Sequence, residues 1–399
     1  MNNQKKQSCK EFFYWKNYDI NGFKLPIKII SDNNYLPELT NKLEQYYNYI
    51  KNESTFSKNS KLIDNIQFNK ENIIEAVKDY LSGEIYNARN KIFSILKKYN
   101  DTPSKFFIAI LDENYAFRGS SYLDLERGAG LYFDDCSIKN ELSFFRARIG
   151  EVSKRKDMLH IPLNKRSFIS TQRFSIPGIP CLYLGTTTYN CWLELDNPSN
   201  ENFNVSSYKF NKLGKNLKIL NLVFSESIIN GIYSVGRESP VSNNKKIQQE
   251  ALEIWPLVCA TSFSVKEKNR AFKSEYIVSQ LIMQCIKELK IDGIAYISKK
   301  INNDVSFSRN VNLAIPIFDI KNKEFGEICN HFELTKPYNF SSFLNIKDAN
   351  IKNCSYLNSI EDNEKVHYNN SYESYYNLKF CDFDNYLVSK EHENFNSEK

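Results

Sequence analysis

The stretch HIPLNKRSFISTQRFSIPGIPCLYLGTTTYNCWLEL, residues 160–195, carries the reading of the fold. CLYLG is apolar and rich in strand formers, so a short strand is predicted over 181–185. Thr186, Thr187 and Thr188 follow Gly185 and precede an apolar run, which is the place of a helix N-cap. One of the three is expected to cap a helix that runs through Trp192 to Glu194. Upstream, Pro177, Gly178 and Pro180 predict a rigid turn between Arg173 and Tyr183, because proline presets φ and glycine reaches values closed to other residues. His160, Arg166, Arg173, Tyr183 and Glu194 fall within 35 positions. Buried charge is costly unless paired, so a cluster of this kind is either a structural ion network or a site.

On either side of this block the texture alternates between strands and helices. SFFRARIG places Phe144, Arg146 and Arg148 on one strand face and Phe145, Ala147 and Ile149 on the other. LKILNLVF, IDGIAYIS and NLAIPIFDI read as further strands. EALEIWPLVCATSF and AFKSEYIVSQLIMQCIKELK read as helices, the second with Ile277, Leu281 and Cys285 along one face. The mixture predicts an α+β domain over 140–334. Residues 1–105 read as a helical module. Its clearest stripe is Ile73, Val77, Tyr80 and Leu81, continued by Ile85, Ala88, Ile92, Ile95 and Leu96, with Asn69 as N-cap and a bend at Ser82-Gly83. A connecting segment is expected over 106–139. From 335 to 399 periodicity fades, and an acidic, loosely ordered tail is predicted, with some of its aromatic residues able to dock on the body.

Composition removes several function classes. The chain has 399 residues, 41% hydrophobic and 25% charged, which are globular values. Its net charge of +6 is mild for this length and falls short of a dense basic stripe. The stretch from 355 onward carries nine acidic residues against four lysines, so the positive excess lies on the rest of the chain. Only 13 glycines occur, and Gly128 and Gly130 form a lone G-x-G with no G-K-S or G-K-T anywhere. A P-loop or standard dinucleotide-binding fold is therefore not expected. Nine cysteines without a C-x-x-C pair fit neither a disulfide framework nor a zinc knuckle. The four histidines, His160, His331, His367 and His392, include no pair at helical ligand spacing. With no apolar signal core and no membrane-length run, the expectation is a cytoplasmic, metal-free protein.

Several of these motifs, in order, resemble the RES domain, a family named for its Arg, Glu and Ser and related in fold to ADP-ribosyltransferase toxins. The matching features are the aromatic-Arg strand Phe145-Arg146 and R-F-S-x-P-G-x-P-x-L-Y-L-G from Arg173 to Gly185. They continue with W-x-E from Trp192 to Glu194 and D-G-I-x-Y-x-S from Asp292 to Ser298. The likeness spans roughly 140–320, with the Arg–Tyr–Glu spacing of 10 and 11 residues. The upstream HIP, Arg166 and STQRFSIPG look like the subgroup with an N-terminal HEPN-like helical extension. Some HEPN domains are RNases that use R-x₄-H, but no histidine precedes His160 in this chain, which excludes that site.

The resemblance implies an ADP-ribosyltransferase-like fold with an N-terminal helical domain, and an enzyme that degrades NAD as a toxin or defence effector. NAD would be substrate, with no further cofactor. Phosphate is a candidate co-substrate, and an antitoxin or regulatory protein a candidate partner. Neither nucleic acid nor membrane is expected. Arg146 would be the first-strand arginine, with Arg148 on the same face as its partner or substitute. Arg173 would hold the diphosphate or the nicotinamide ribose, Tyr183 would orient the nicotinamide, Glu194 would bind the ribose hydroxyls, and Ser298 would complete the pocket. His160 is read as structural. Two other readings stand beside this one. The same pocket could transfer ADP-ribose to a macromolecule, or the basic, aromatic surface could serve a non-catalytic nucleic-acid- or protein-binding module.

Overall fold

The computed structural model describes residues 23–29, 31–52, 56–101, 106–117, 142–223, 241–264, 267, 269–301, 309–319, 324–346 and 365–397. The G-x-G at Gly128 and Gly130, and most of the connecting segment, lie outside them. In chain order the elements are β1 (Ile27–Lys28), α1 (Tyr35–Asn52), α2 (Ser60–Leu81), α3 (Ile85–Asn100), β2 (Ile108–Ile110), β3 (Ser143–Ile149) and β4 (Cys181–Gly185). Then follow α4 (Thr188–Glu194), β5 (Phe203–Phe210), β6 (Lys218–Leu222), α5 (Val241–Ala260), β7 (Phe263–Ser264), α6 (Ile277–Ile286), β8 (Gly293–Ile297) and β9 (Val311–Pro316). The chain continues with β10 (Phe332–Leu334), β11 (Tyr338–Asn339), α7 (Phe340–Leu344), β12 (Lys365–Tyr368), β13 (Ser371–Ser374) and α8 (Lys379–Val388). The fold is α+β.

The main sheet runs β10-β5-β3-β4-β9-β8-β6-β2, with β11 added beside β5. Every neighbouring pair in it is antiparallel except β6 and β8. One junction is thin. β3 and β4 pair only at Phe145 and Gly185, whereas β3 and β5 pair along all of β3. Beyond Phe145 the two central strands part and leave an opening in the sheet.

The helical stripes form as their spacing requires, with one correction. Asn69 does not cap a helix; Asn59 does, its side chain accepting from Leu62 N–H. Asn69 lies buried in mid-helix, where its side-chain amide donates to Tyr99 Oη and to the Glu253 carbonyl. The break at Ser82-Gly83 is present, with Gly83 at φ +90°.

The helices of residues 1–105 do not stand apart from the rest. From Ala251 to Ala260 α5 is buried all round, Leu252, Ile254, Trp255, Leu257 and Val258 included, so this half needs partners on several sides. It finds them in α1 and α2. Tyr35 Oη donates to Ala260 O, Tyr46 Oη to Leu252 O, and the Tyr46 ring stacks on Trp255 at 4.1 Å. Phe174, Leu220, Leu222, Ile294 and Tyr296 from the sheet domain complete the same core.

The expectation of a loose tail is also corrected for its described residues; 347–364 lie outside them. Residues 335–346 and 365–397 contribute strands, a hairpin, α7 and α8. Phe340, Phe343, Phe380, Phe383 and Leu387 are buried against Tyr189, Phe203 and Val205. The aromatic side chains supply enough apolar area to order a segment whose average composition reads as a solvated tail. Asp384 seals the contact: it is buried, accepts from Thr188 N–H at 2.8 Å and from Tyr375 Oη at 2.5 Å, and so caps the start of α4.

Candidate functional site

β4, the three threonines and α4 form as the sequence predicts, and Thr187 is the cap, its hydroxyl accepting from Asn190 N–H. Gly185 is needed where strand passes into helix. A Cβ there would stand 2.9 Å from Cys191 Sγ and 3.1 Å from Asn190 Nδ2, so only glycine lets α4 lie this close to the sheet. The Pro-Gly-Pro turn closes through paired Ile176 and Ile179, with Gly178 at φ +76°.

Glu194 ends α4 and is half-buried. Its Oε1 accepts from Asn312 Nδ2 at 2.6 Å, and Asn312 Oδ1 accepts in turn from Asn190 Nδ2 at 2.8 Å. Asn190 also donates to Val311 O. The carboxylate is thus fixed to β9 by a chain of two amides. Lys300 holds the helix end from outside, donating to Glu194 O at 2.7 Å and to Asp196 at 2.9 Å. Trp192 of the W-x-E motif faces away from this chain; its Nε1 donates to Pro198 O.

Ser298 follows β8, buried, on the same strand face as Tyr296. Its N–H donates to Asn310 O and its Oγ accepts from Lys300 N–H. Tyr296 sits opposite Asn312 in the β8–β9 register, and burial together with Glu194 pushes its phenol well above the ordinary range. Tyr183, also half-buried, donates through Oη to Phe174 O at 2.6 Å. Burial raises its phenol strongly as well.

Arg173 is buried, and its fork is largely committed. Nη1 donates to the carbonyls of Thr261 and Glu275, each at 3.1 Å, and Nη2 to Phe263 O at 2.6 Å. The guanidinium lies 4.8 Å from the centre of the Tyr276 ring. Arg173 therefore ties the end of α5 to the start of α6. The diphosphate-holding role expected of it calls for donors that are already bonded to backbone. Beside it Lys299 Nζ donates to Ser262 Oγ at 2.7 Å. Burial first, and then the Arg173 charge, push the Lys299 amine down to about 7, with Glu194 opposing them.

Arg146 and Arg148 are placed differently. Their strand face also carries Phe144, which packs with Leu159 and Tyr208, whereas Phe145 and Ala147 turn toward α4. The pair therefore reaches the opening between β3 and β4 from the far side of the sheet. Arg146 Nη1 donates across that opening to Tyr183 O at 2.8 Å, and Arg148 Nη2 donates to Leu159 O at 2.8 Å. Both Nε–H groups are buried without a partner. Arg146 and then burial lower the Arg148 guanidinium to about 10. His160 is structural: Nε2 accepts from Gly326 N–H at 3.0 Å, which puts the ring proton on Nδ1, donating to Ile161 O at 2.8 Å.

The fold thus gathers Arg173, Tyr183, Glu194 and Ser298 on one side of the sheet, and Arg146 and Arg148 at its opening. Sequence reading missed Tyr276, Tyr296, Lys299, Asn190 and Asn312. Tyr296 was within reach, since it lies two residues before Ser298 and shares its strand face. Asn312 was not, because only the strand register brings it to Glu194.

The chain is similar to a protein described as "Putative toxin YopC" of Bacillus subtilis (strain 168), 29% identical over 250 residues, covering 57% of this chain and 56% of that protein. It spans little more than half the length of that curated relative. No protein-family model and no solved structure matches the chain.

Proposed function

We propose that this chain breaks the bond between nicotinamide and ribose in NAD, and that it acts as a toxin or defence effector. The observation that carries the reading is the Glu194 carboxylate. Asn312 and Asn190 fix it, its charge bears on Tyr276, Tyr296 and Lys299, and Arg173 lies against the Tyr276 ring. Arg173, Tyr183, Glu194 and Ser298 of the RES-like motifs lie on this side of the sheet, and the similarity to the Bacillus subtilis protein described as "Putative toxin YopC" supports the biological role.

The chemistry suits the groups present. The C1′–N bond breaks with its electron pair going to the pyridinium nitrogen, so nicotinamide leaves as a neutral molecule and needs no strong acid. Positive charge develops on the ribose ring, and a carboxylate already held in place stabilises it without reorganising. An oxygen of water or phosphate then bonds C1′, and its proton passes to solvent. The buried phenols of Tyr183 and Tyr296 stay neutral and supply flat apolar surface beside the ring.

Purified protein should release nicotinamide from NAD, and Glu194→Gln should slow that release by ~10²–10³ while leaving the fold intact. Equal rates in the two proteins would overturn the assignment. Label from NAD retained on macromolecules would favour ADP-ribosyl transfer, and a rate that depends on phosphate would identify phosphorolysis.

A further inference from the structure

We infer that Lys299 is the group that receives the anionic diphosphate of the ligand at this site, a role the motifs would give to Arg173. The inference rests on the dinucleotide reading above and sharpens it at one residue.

The cations around Glu194 differ in what they still have to donate. Arg173 gives its terminal nitrogens to three backbone carbonyls. Lys300 is held by Asp196 and the end of α4. Lys299 donates only to the Ser262 hydroxyl, a neutral acceptor, and among the described residues it makes no ion pair. An ammonium has three N–H donors, so two remain. Its position is fixed at both ends. The next residue, Lys300, is bonded to the carbonyl of Glu194, and the preceding one, Ser298, is buried and bonded to Asn310. Lys299 bonds Ser262 while Arg173 bonds the carbonyls of the flanking Thr261 and Phe263, and the next residue, Lys300, bonds the Glu194 carbonyl, so the amine stands beside the groups that a ribose at Glu194 and its diphosphate would meet.

The charged and titratable groups facing Lys299 are Arg173 from the segment before β4, Glu194 from α4 and Cys259 from α5. Arg173 disfavours the ammonium and Glu194 favours it. With its amine lowered to about 7, Lys299 is only partly charged near neutrality. A bound anion favours the ammonium, so binding draws a proton onto Lys299 at and above pH 7. Affinity is highest below about pH 7 and falls as pH rises, down to the point where the bound form also loses its proton.

The test is calorimetric titration of ADP-ribose, and separately of inorganic pyrophosphate, into the wild-type chain, Lys299→Met and Lys299→Arg. It is run between about pH 6 and about pH 8.5 in two buffers of different ionisation enthalpy. The wild type should bind with net proton uptake near pH 7.5. Lys299→Met should bind roughly 10- to 100-fold more weakly, the loss of one charge-assisted contact, and show no uptake. Lys299→Arg, which stays charged, should retain the affinity and lose its dependence on pH. Unchanged affinity and uptake in Lys299→Met would overturn the inference, as would failure of both ligands to bind the wild type. A wild type that binds pyrophosphate through Lys299 yet releases no nicotinamide from NAD would overturn the functional reading and leave this inference standing.

Discussion

Arg155 and the pair Arg146 and Arg148 lie within ten positions of one another, and the fold treats them in opposite ways. Arg155 is 3% exposed; its Nε donates to Leu334 O at 3.0 Å and its Nη1 pairs with Glu393 at 3.0 Å. Arg146 and Arg148 each donate to one carbonyl, meet no carboxylate among the described residues, repel each other, and keep an unbonded buried Nε–H. A buried guanidinium with a carboxylate and a carbonyl is scaffold. Two half-buried guanidinium groups placed together, with one carbonyl each and no carboxylate among the described residues, are under-compensated, and a fold keeps such an arrangement where an anion completes it. The opening between β3 and β4 is where a second anionic contact of the ligand would lie, beside the one assigned to Lys299.

The strongest way to break this contrast is at Glu393. Glu393→Ala takes a partly exposed carboxylate away from the buried Arg155, and urea unfolding should show a loss of about 2 kcal/mol. Nicotinamide release per folded molecule should not change. A neutral effect on stability would mean that Arg155 is no better compensated than the pair, and the distinction would collapse.

The reverse substitution tests the other side. Arg146→Met with Arg148→Met removes two uncompensated charges and retains volume, so stability should hold or rise. The Michaelis constant for NAD should rise roughly 10- to 100-fold, the size of a lost contact between charged groups. A double variant that loses stability and keeps its substrate affinity would make the pair structural.

The contrast was only half legible in the amino-acid order. Local features were readable: the apolar run of β4, the threonine cap of α4, the Pro-Gly-Pro turn and the helical stripes all depend on neighbours within a turn or two. Strand alternation even placed Arg146 and Arg148 on one face. Which arginine is committed was not readable, because the partners are remote. Arg173 meets carbonyls 88 to 102 positions away, and Glu194 is fixed by an asparagine 118 positions on. The same limit hid the union of the N-terminal helices with α5, since periodicity shows that a face is buried but not against what. It also hid the docked C-terminal segment, where a few aromatic residues outweigh an acidic average.

The finest test uses His160 as a reporter. Its imidazole is bonded at both nitrogens, and burial holds its pKa below the ordinary histidine value, with Arg146 and Arg148 lowering it further. Because the folded value is depressed, this residue costs stability as pH falls through the ordinary histidine range, where the unfolded chain takes up the proton more readily. Removing the two arginines withdraws a repulsion felt only by the imidazolium. In Arg146→Met with Arg148→Met the His160 titration, followed by NMR, should therefore move upward. An anion held between the arginines would screen the same charge, so saturating the wild type with pyrophosphate should shift His160 in that direction as well. Movement with the substitutions but not with pyrophosphate would show that the pair is charged and close but does not receive the ligand, which would confine anion binding to the Lys299 side of the sheet.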